Sequence, residues 1–130
     1  NVLFGSLAFN QPAYQVLEGV GNATITVTYS GPSMYVPVIV HYATADGTAK
    51  AGSDYTATAG TLTFNPGVTN QTIHIPIIND AIYEPDETLM ISLDTPQRAL
   101  LAAPQQAVLT IRNDDRLQLF MPFVTKQGGN

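Results

Sequence analysis

Thr24-Ile25-Thr26-Val27-Thr28-Tyr29 alternates polar and apolar side chains without a break. Successive side chains of a strand point to opposite faces. This stretch therefore buries Ile25, Val27 and Tyr29 and turns its threonines the other way. The same period of two recurs in Thr61-Leu62-Thr63-Phe64, Thr72-Ile73-His74-Ile75-Pro76-Ile77, Thr88-Leu89-Met90-Ile91-Ser92-Leu93 and Ala107-Val108-Leu109-Thr110-Ile111. Residues 36–42 are mostly apolar, with Val38, Val40 and Tyr42 on one face. Residues 7–9 and 14–17 read as a first strand broken at Gln11-Pro12. Thr, Val, Ile and Tyr fit a pleated, half-buried surface, and they dominate all of these runs.

Turn residues separate the strands: Ser30-Gly31-Pro32, Asp46-Gly47, Asn65-Pro66-Gly67, Asn79-Asp80 and Thr95-Pro96. No segment carries a sustained helical stripe, and residues 98–107 are cut by Pro104. The spacing predicts an all-β chain, a seven-stranded antiparallel immunoglobulin-like β-sandwich. Its inward set is Val16, Ile25, Val27, Tyr29, Val38, Val40, Tyr42, Leu62, Phe64, Ile73, Ile75, Ile77, Leu89, Ile91, Leu93, Leu109 and Ile111. With no Trp and no Cys, it lacks the marks of an antibody-type domain.

The 130 residues suffice for one domain, able to bury roughly two-thirds of its unfolded surface. Apolar residues at 45% and charged residues at 12% argue against a disordered chain. Five Lys and Arg against ten Asp and Glu give a net charge of −5, too few cations for nucleic acid. No apolar run reaches the ~20 residues of a membrane helix, so no membrane insertion is expected. Without cysteine, disulfides, thiolate metal sites and a thiol nucleophile are excluded. Residues 1–20 lack the basic start and apolar run of a signal peptide, and the chain reads as a piece of something larger. The sandwich is expected over residues 1–116, with 117–130 a C-terminal extension. Its Leu117-Gln118-Leu119-Phe120-Met121-Pro122-Phe123-Val124 is either an extra edge strand or a tail.

The acids gather between the strands. Glu18 closes the first strand, Asp54 lies in Gly52-Ser53-Asp54-Tyr55, and Asp80, Glu84 and Glu87 fall in one connection. Asp114 and Asp115 follow the last strand of the sandwich. If these loops share an end, seven carboxylates converge there and carry −7, leaving the rest of the chain at +2. Such a cluster repels itself unless a cation joins it. Ca2+, a hard ion taking six to eight oxygens, fits a site made only of oxygen donors. The spacing equally allows solvated turn acids.

Glu18-Gly19-Val20-Gly21, residues 42–49 (Tyr-Ala-Thr-Ala-Asp-Gly-Thr-Ala) and Gly52-Ser53-Asp54-Tyr55 together resemble the Calx-β domain. So do Gly60-Thr61-Leu62-Thr63-Phe64, Tyr83-Glu84-Pro85-Asp86-Glu87-Thr88 and Asn113-Asp114-Asp115. The resemblance covers residues 9–115 in order and spacing. It implies a seven-stranded sandwich with calcium in the loops at one end, as in the calcium sensor of sodium–calcium exchangers. The family's ligand positions fall on Glu18, Asp54, Asp80, Glu84, Glu87, Asp114 and Asp115. Asn79 and Asn113 stand where that sensor has aspartate, so fewer or weaker ions are implied.

Other features have plainer readings. Asp46-Gly47 suits a tight turn, with Gly47 supplying the dihedrals, and Asp86 a solvated position. Tyr55 and Tyr83 suit packing. His41 and His74 are too isolated for zinc. Asn22-Ala23-Thr24 and Asn70-Gln71-Thr72 match the glycosylation acceptor, a pattern that also arises by chance. No nucleophile–base set is in view, so no enzyme activity is expected. The expected partners are neighbouring domains of the same chain and a protein or surface partner. The three functions in play are a calcium-binding module of a secreted or cell-surface protein, a calcium-independent spacer, and a cytosolic sensor.

Overall fold

A computed structural model of the protein describes residues 4–33, 35–79 and 84–113. The alternating runs fold as strands: β1 (Gly5–Phe9), β2 (Ala13–Leu17), β3 (Asn22–Ser30), β4 (Val38–Asp46) and β5 (Ala59–Phe64). β6 (Asn70–Pro76), β7 (Glu87–Gln97), β8 (Ala99–Leu101) and β9 (Gln106–Arg112) follow, and one 3-10 turn, Glu18–Val20, joins β2 to β3. They form two sheets, β6-β3-β1-β8 and β2-β9-β7-β4-β5. The two inner faces supply a single core, the arrangement of an immunoglobulin-like sandwich.

Strand parity places that core. Along β3 the threonines face outward or lie half-covered, while Ile25 and Val27 are fully buried. Of the expected inward set, Val16 and Tyr42 are partly buried against the core and all the others are buried. Leu7, Phe9, Ala23, Ala49, Tyr55, Ala99 and Ala107 join them. Removing a side chain such as Ile75 or Phe64 from water contributes roughly 1.5–3 kcal/mol. Tyr55 is 1% exposed, as its packing reading required.

Two details depart from the expected seven antiparallel strands. The first strand is split, as its sequence suggests, and the break moves the chain from one sheet to the other. β1 pairs antiparallel with β3, whereas β2 lies parallel beside β9, with Leu17 opposite Arg112. β8 is an added short strand that pairs parallel with β1. Val36, placed in a strand by its apolar neighbours, precedes β4 and is exposed.

The register fixes one end of the sandwich. Leu17 lies opposite Arg112, Asp46 opposite Leu89, and Asn22 opposite Pro76. The Glu18–Val20 turn, the loop after β4, the exit of β6, the start of β7 and the exit of β9 therefore gather together. Residues 117–124, expected as an edge strand or a tail, lie outside the described residues. The proposed boundary at residue 116 does too.

Candidate metal centre

The loop after β4 is braced from within. Asp46 Oδ1 accepts hydrogen bonds from Ala51 N at 2.9 Å and from the Tyr55 hydroxyl at 2.6 Å. The Tyr55 hydroxyl, followed by the Ala51 amide, holds the Asp46 carboxyl below its ordinary pKa. Burial, then the hydrogen bond to Asp46, pushes the Tyr55 phenol up to about 12. Asp46 thus bonds loop backbone, as a turn residue would, and additionally anchors a buried tyrosine. The reading of Gly47 is corrected. A Cβ there would stand 2.5 Å from the Thr88 carbonyl oxygen, so close approach to β7 requires the glycine. Thr88 N in turn donates to Thr48 Oγ1 at 2.8 Å, and Ala49 N to Thr88 O at 2.8 Å.

That loop delivers Asp54. Asp54 Oδ2 accepts from Lys50 N at 2.8 Å, and Asp54 N donates to Lys50 O at 2.9 Å. Ile78 N donates to Asp54 O at 3.0 Å, tying the loop to the exit of β6. Glu84 and Glu87 come from the approach to β7, and Glu87 is its first residue. One carboxylate oxygen from each of Asp54, Glu84 and Glu87 lies within 4.8 Å of the others. Glu18, the buried acid of the core boundary at 4% exposure, lines the same cleft with Pro85, Ile111 and Asn113.

The cluster is electrostatically strained. Burial, then the charges of Asp54 and Glu84, pushes the Glu87 carboxyl above its ordinary range. A hydrogen bond with Asp54 acts in the same sense, and Lys50 opposes it. Lys50 spends its Nζ on the Gly47 carbonyl at 3.2 Å. All the clustered donors are carboxylate oxygens, with no imidazole or thiol among them. That donor set fits a hard divalent cation.

Of the seven predicted ligands, the structure brings Glu18, Asp54, Glu84 and Glu87 to one cleft. Asp80, Asp114 and Asp115 lie outside the described residues, as does Tyr83. Asn113 does reach the cleft. Asp86 is exposed, as its solvated reading has it, and it also makes contacts between loops. Its Oδ1 accepts from Asn113 N at 3.1 Å, and its Oδ2 lies 3.8 Å from Arg112 Nε. Asp86 thereby joins the approach to β7 to the exit of β9. A contact between two loops 27 residues apart leaves no local signal in the sequence. His41 Nδ1 sits 3.1 Å from Asp94 on the exposed sheet, remote from the cleft.

Known proteins share this sandwich and part of its sequence. The chain is 35% identical over 130 residues to sodium/calcium exchanger 1 of Bos taurus, covering 86% of this chain and 13% of the exchanger. It thus spans about an eighth of the relatives it matches. Among solved structures, the apo form of the Calx CBD1 domain superposes with a TM-score of 0.82 at 36% identity, covering 87% of this chain and all of that one. The calcium binding domain CBD12 of CALX1.1 superposes with a TM-score of 0.79 at 36% identity, covering 84% of this chain and 44% of that one. The family model described as the Calx-beta domain matches residues 4–115. With that match spanning nearly the whole sandwich, the chain belongs to the Calx-β domain family.

Proposed function

We propose that this domain binds Ca2+ at the end of the sandwich where its loops gather, and that the ion sets the direction in which the chain continues. The carrying observation is the approach of Asp54, Glu84 and Glu87 oxygens to within 4.8 Å from two separate loops. Glu18 would supply a fourth carboxylate from beneath, and Asp80, Asp114 and Asp115 would complete the shell. Asn79 and Asn113 offer carbonyl oxygens without charge, which weakens binding relative to an all-aspartate set. A cation neutralises the mutual repulsion and locks the loop after β4, the approach to β7 and the exit of β9 to one another. The exit of β9 leads to the next part of the chain, so its orientation follows from the ion. The domain acts as a binding module within a longer chain rather than as a catalyst.

The low lysine content favours a secreted or surface setting, with an adhesive or interaction role for the parent chain. The kinship with sodium/calcium exchangers favours a second reading, a calcium sensor in a regulatory chain. Affinity separates them: extracellular modules bind at about 10⁻⁴–10⁻³ M and sensors at about 10⁻⁷–10⁻⁵ M. Calorimetric titration of chelator-treated protein tests both. Binding heat with Ca2+, and little with Mg2+, supports the proposal. No heat up to several millimolar Ca2+ leaves a calcium-independent spacer.

A further inference from the structure

Asp86 stands one residue before Glu87 and two after Glu84, yet it does not line the cleft that those two share with Asp54. Its carboxylate turns to the exit of β9 instead. Oδ1 accepts from Asn113 N at 3.1 Å, and Oδ2 lies 3.8 Å from Arg112 Nε. Asn113 does line the cleft, together with Glu84 and Glu87. An acid outside the cleft therefore holds a residue inside it.

The strand register explains the contact. β7 and β9 run antiparallel, with Thr88 opposite Thr110 and Glu87 opposite Ile111. One further step in that register sets Asp86 opposite Arg112, just beyond the last pair. There the Asp86 side chain takes up the Asn113 N–H where backbone pairing ends. A backbone amide bonded to a carboxylate is a charge-assisted contact, stronger than one between neutral groups. The ion pair adds little, because Arg112 is 56% and Asp86 54% exposed. The weight of the link falls on the amide.

We infer, on the calcium reading above, that Asp86 is a positioning residue for the cation. It touches no ion itself. It fixes Asn113 in the cleft and ties the exit of β9 to the segment that carries Glu84 and Glu87. Movement of that segment on binding then passes through Asp86 to the residue from which the chain continues. Groups that orient metal ligands weaken binding by roughly 10–100-fold when they are lost.

Two variants separate placement from charge. Asp86→Ala removes both the acceptor and the charge. Asp86→Asn removes only the charge and keeps an oxygen that can accept from Asn113 N. In calorimetric titrations Asp86→Ala should raise the Kd for Ca2+ about tenfold, and Asp86→Asn by less than about threefold. Amide resonances read the coupling. As calcium is added to the wild type, the Asp54 and Asn113 amides should shift together. In Asp86→Ala at saturating Ca2+, the Asp54 shift should persist and the Asn113 shift should be largely lost. Without calcium, the Asn113 amide of Asp86→Ala should exchange about tenfold faster than in the wild type, while the β3 amides stay unchanged. Equal losses of affinity in the two variants would reduce Asp86 to a distant charge and overturn the inference. An Asn113 amide that still follows calcium in Asp86→Ala would overturn it too. If neither amide of the wild type answers several millimolar Ca2+, the calcium reading itself fails and takes this role of Asp86 with it.

Discussion

Replacing Glu87 by Gln should raise the stability of the apo domain and shrink the stabilisation that calcium adds. Two charges 4.8 Å apart, the limit within which the three carboxylates stand, repel by roughly 3.5 kcal/mol at an effective dielectric of about 20. Glu87 is only partly buried, so solvent screening reduces this to about 1 kcal/mol for each of Asp54 and Glu84. Gln keeps the shape and removes the charge. The apo variant should therefore gain about 1–2 kcal/mol, raising Tm by roughly 4–8 °C for a domain of this size. Calcium at a hundred times the wild-type Kd should stabilise the wild type by about 2.7 kcal/mol. If the lost charge weakens binding about tenfold, the same concentration stabilises the variant by only about 1.4 kcal/mol. Thermal melts of chelated protein with and without Ca2+ read both quantities. A variant that melts lower when apo yet keeps the full calcium shift would make Glu87 an ordinary packing residue and refute the reasoning.

Gly47→Ala should cost about 1–3 kcal/mol in urea unfolding, because the new methyl group meets the Thr88 carbonyl at 2.5 Å. Ile75→Ala, at a fully buried site, should cost about 2–5 kcal/mol in the same assay. Tyr55→Phe should lower stability by about 1 kcal/mol and loosen the loop after β4, read as faster exchange of the Ala51 amide. Tyr55 also sets an alkaline dependence. Its pKa is raised to about 12, so between pH 10 and 12 the folded state holds a proton that the unfolded state has released. Its contribution is complete below about pH 10 and falls as pH rises toward 12, and ultraviolet titration should show one phenol ionising late. Asp94→Asn, remote from the cleft, should leave the calcium shift unchanged while breaking the contact to His41.

The fold was legible because a half-buried strand writes its parity directly into the chain. Ile25, Val27, Ile73, Ile75, Ile91 and Leu109 alternate with polar neighbours, and all are buried. Gathering acids in the turns was legible for a related reason: a charge is costly on the inner face, so acids accumulate where strands end. The Calx-β pattern of motifs implied a set of ligand positions, which period and composition could not give. What the sequence withheld is what depends on two distant segments meeting. The parallel seat of β2 beside β9 follows from a sheet change at Asn10–Pro12, and nothing local states which sheet the chain enters. Gly47 looks like a turn residue in sequence, and only the approach of Thr88, 41 residues away, shows that space is its purpose. Asp86 reads as a solvated acid and is exposed, but only the exit of β9 shows that it also accepts from the Asn113 amide. Residue type and period fixed which faces are buried, since those depend on neighbours one or two positions away. Tertiary structure alone decided which loops meet and at what distance, because those depend on how two sheets stack.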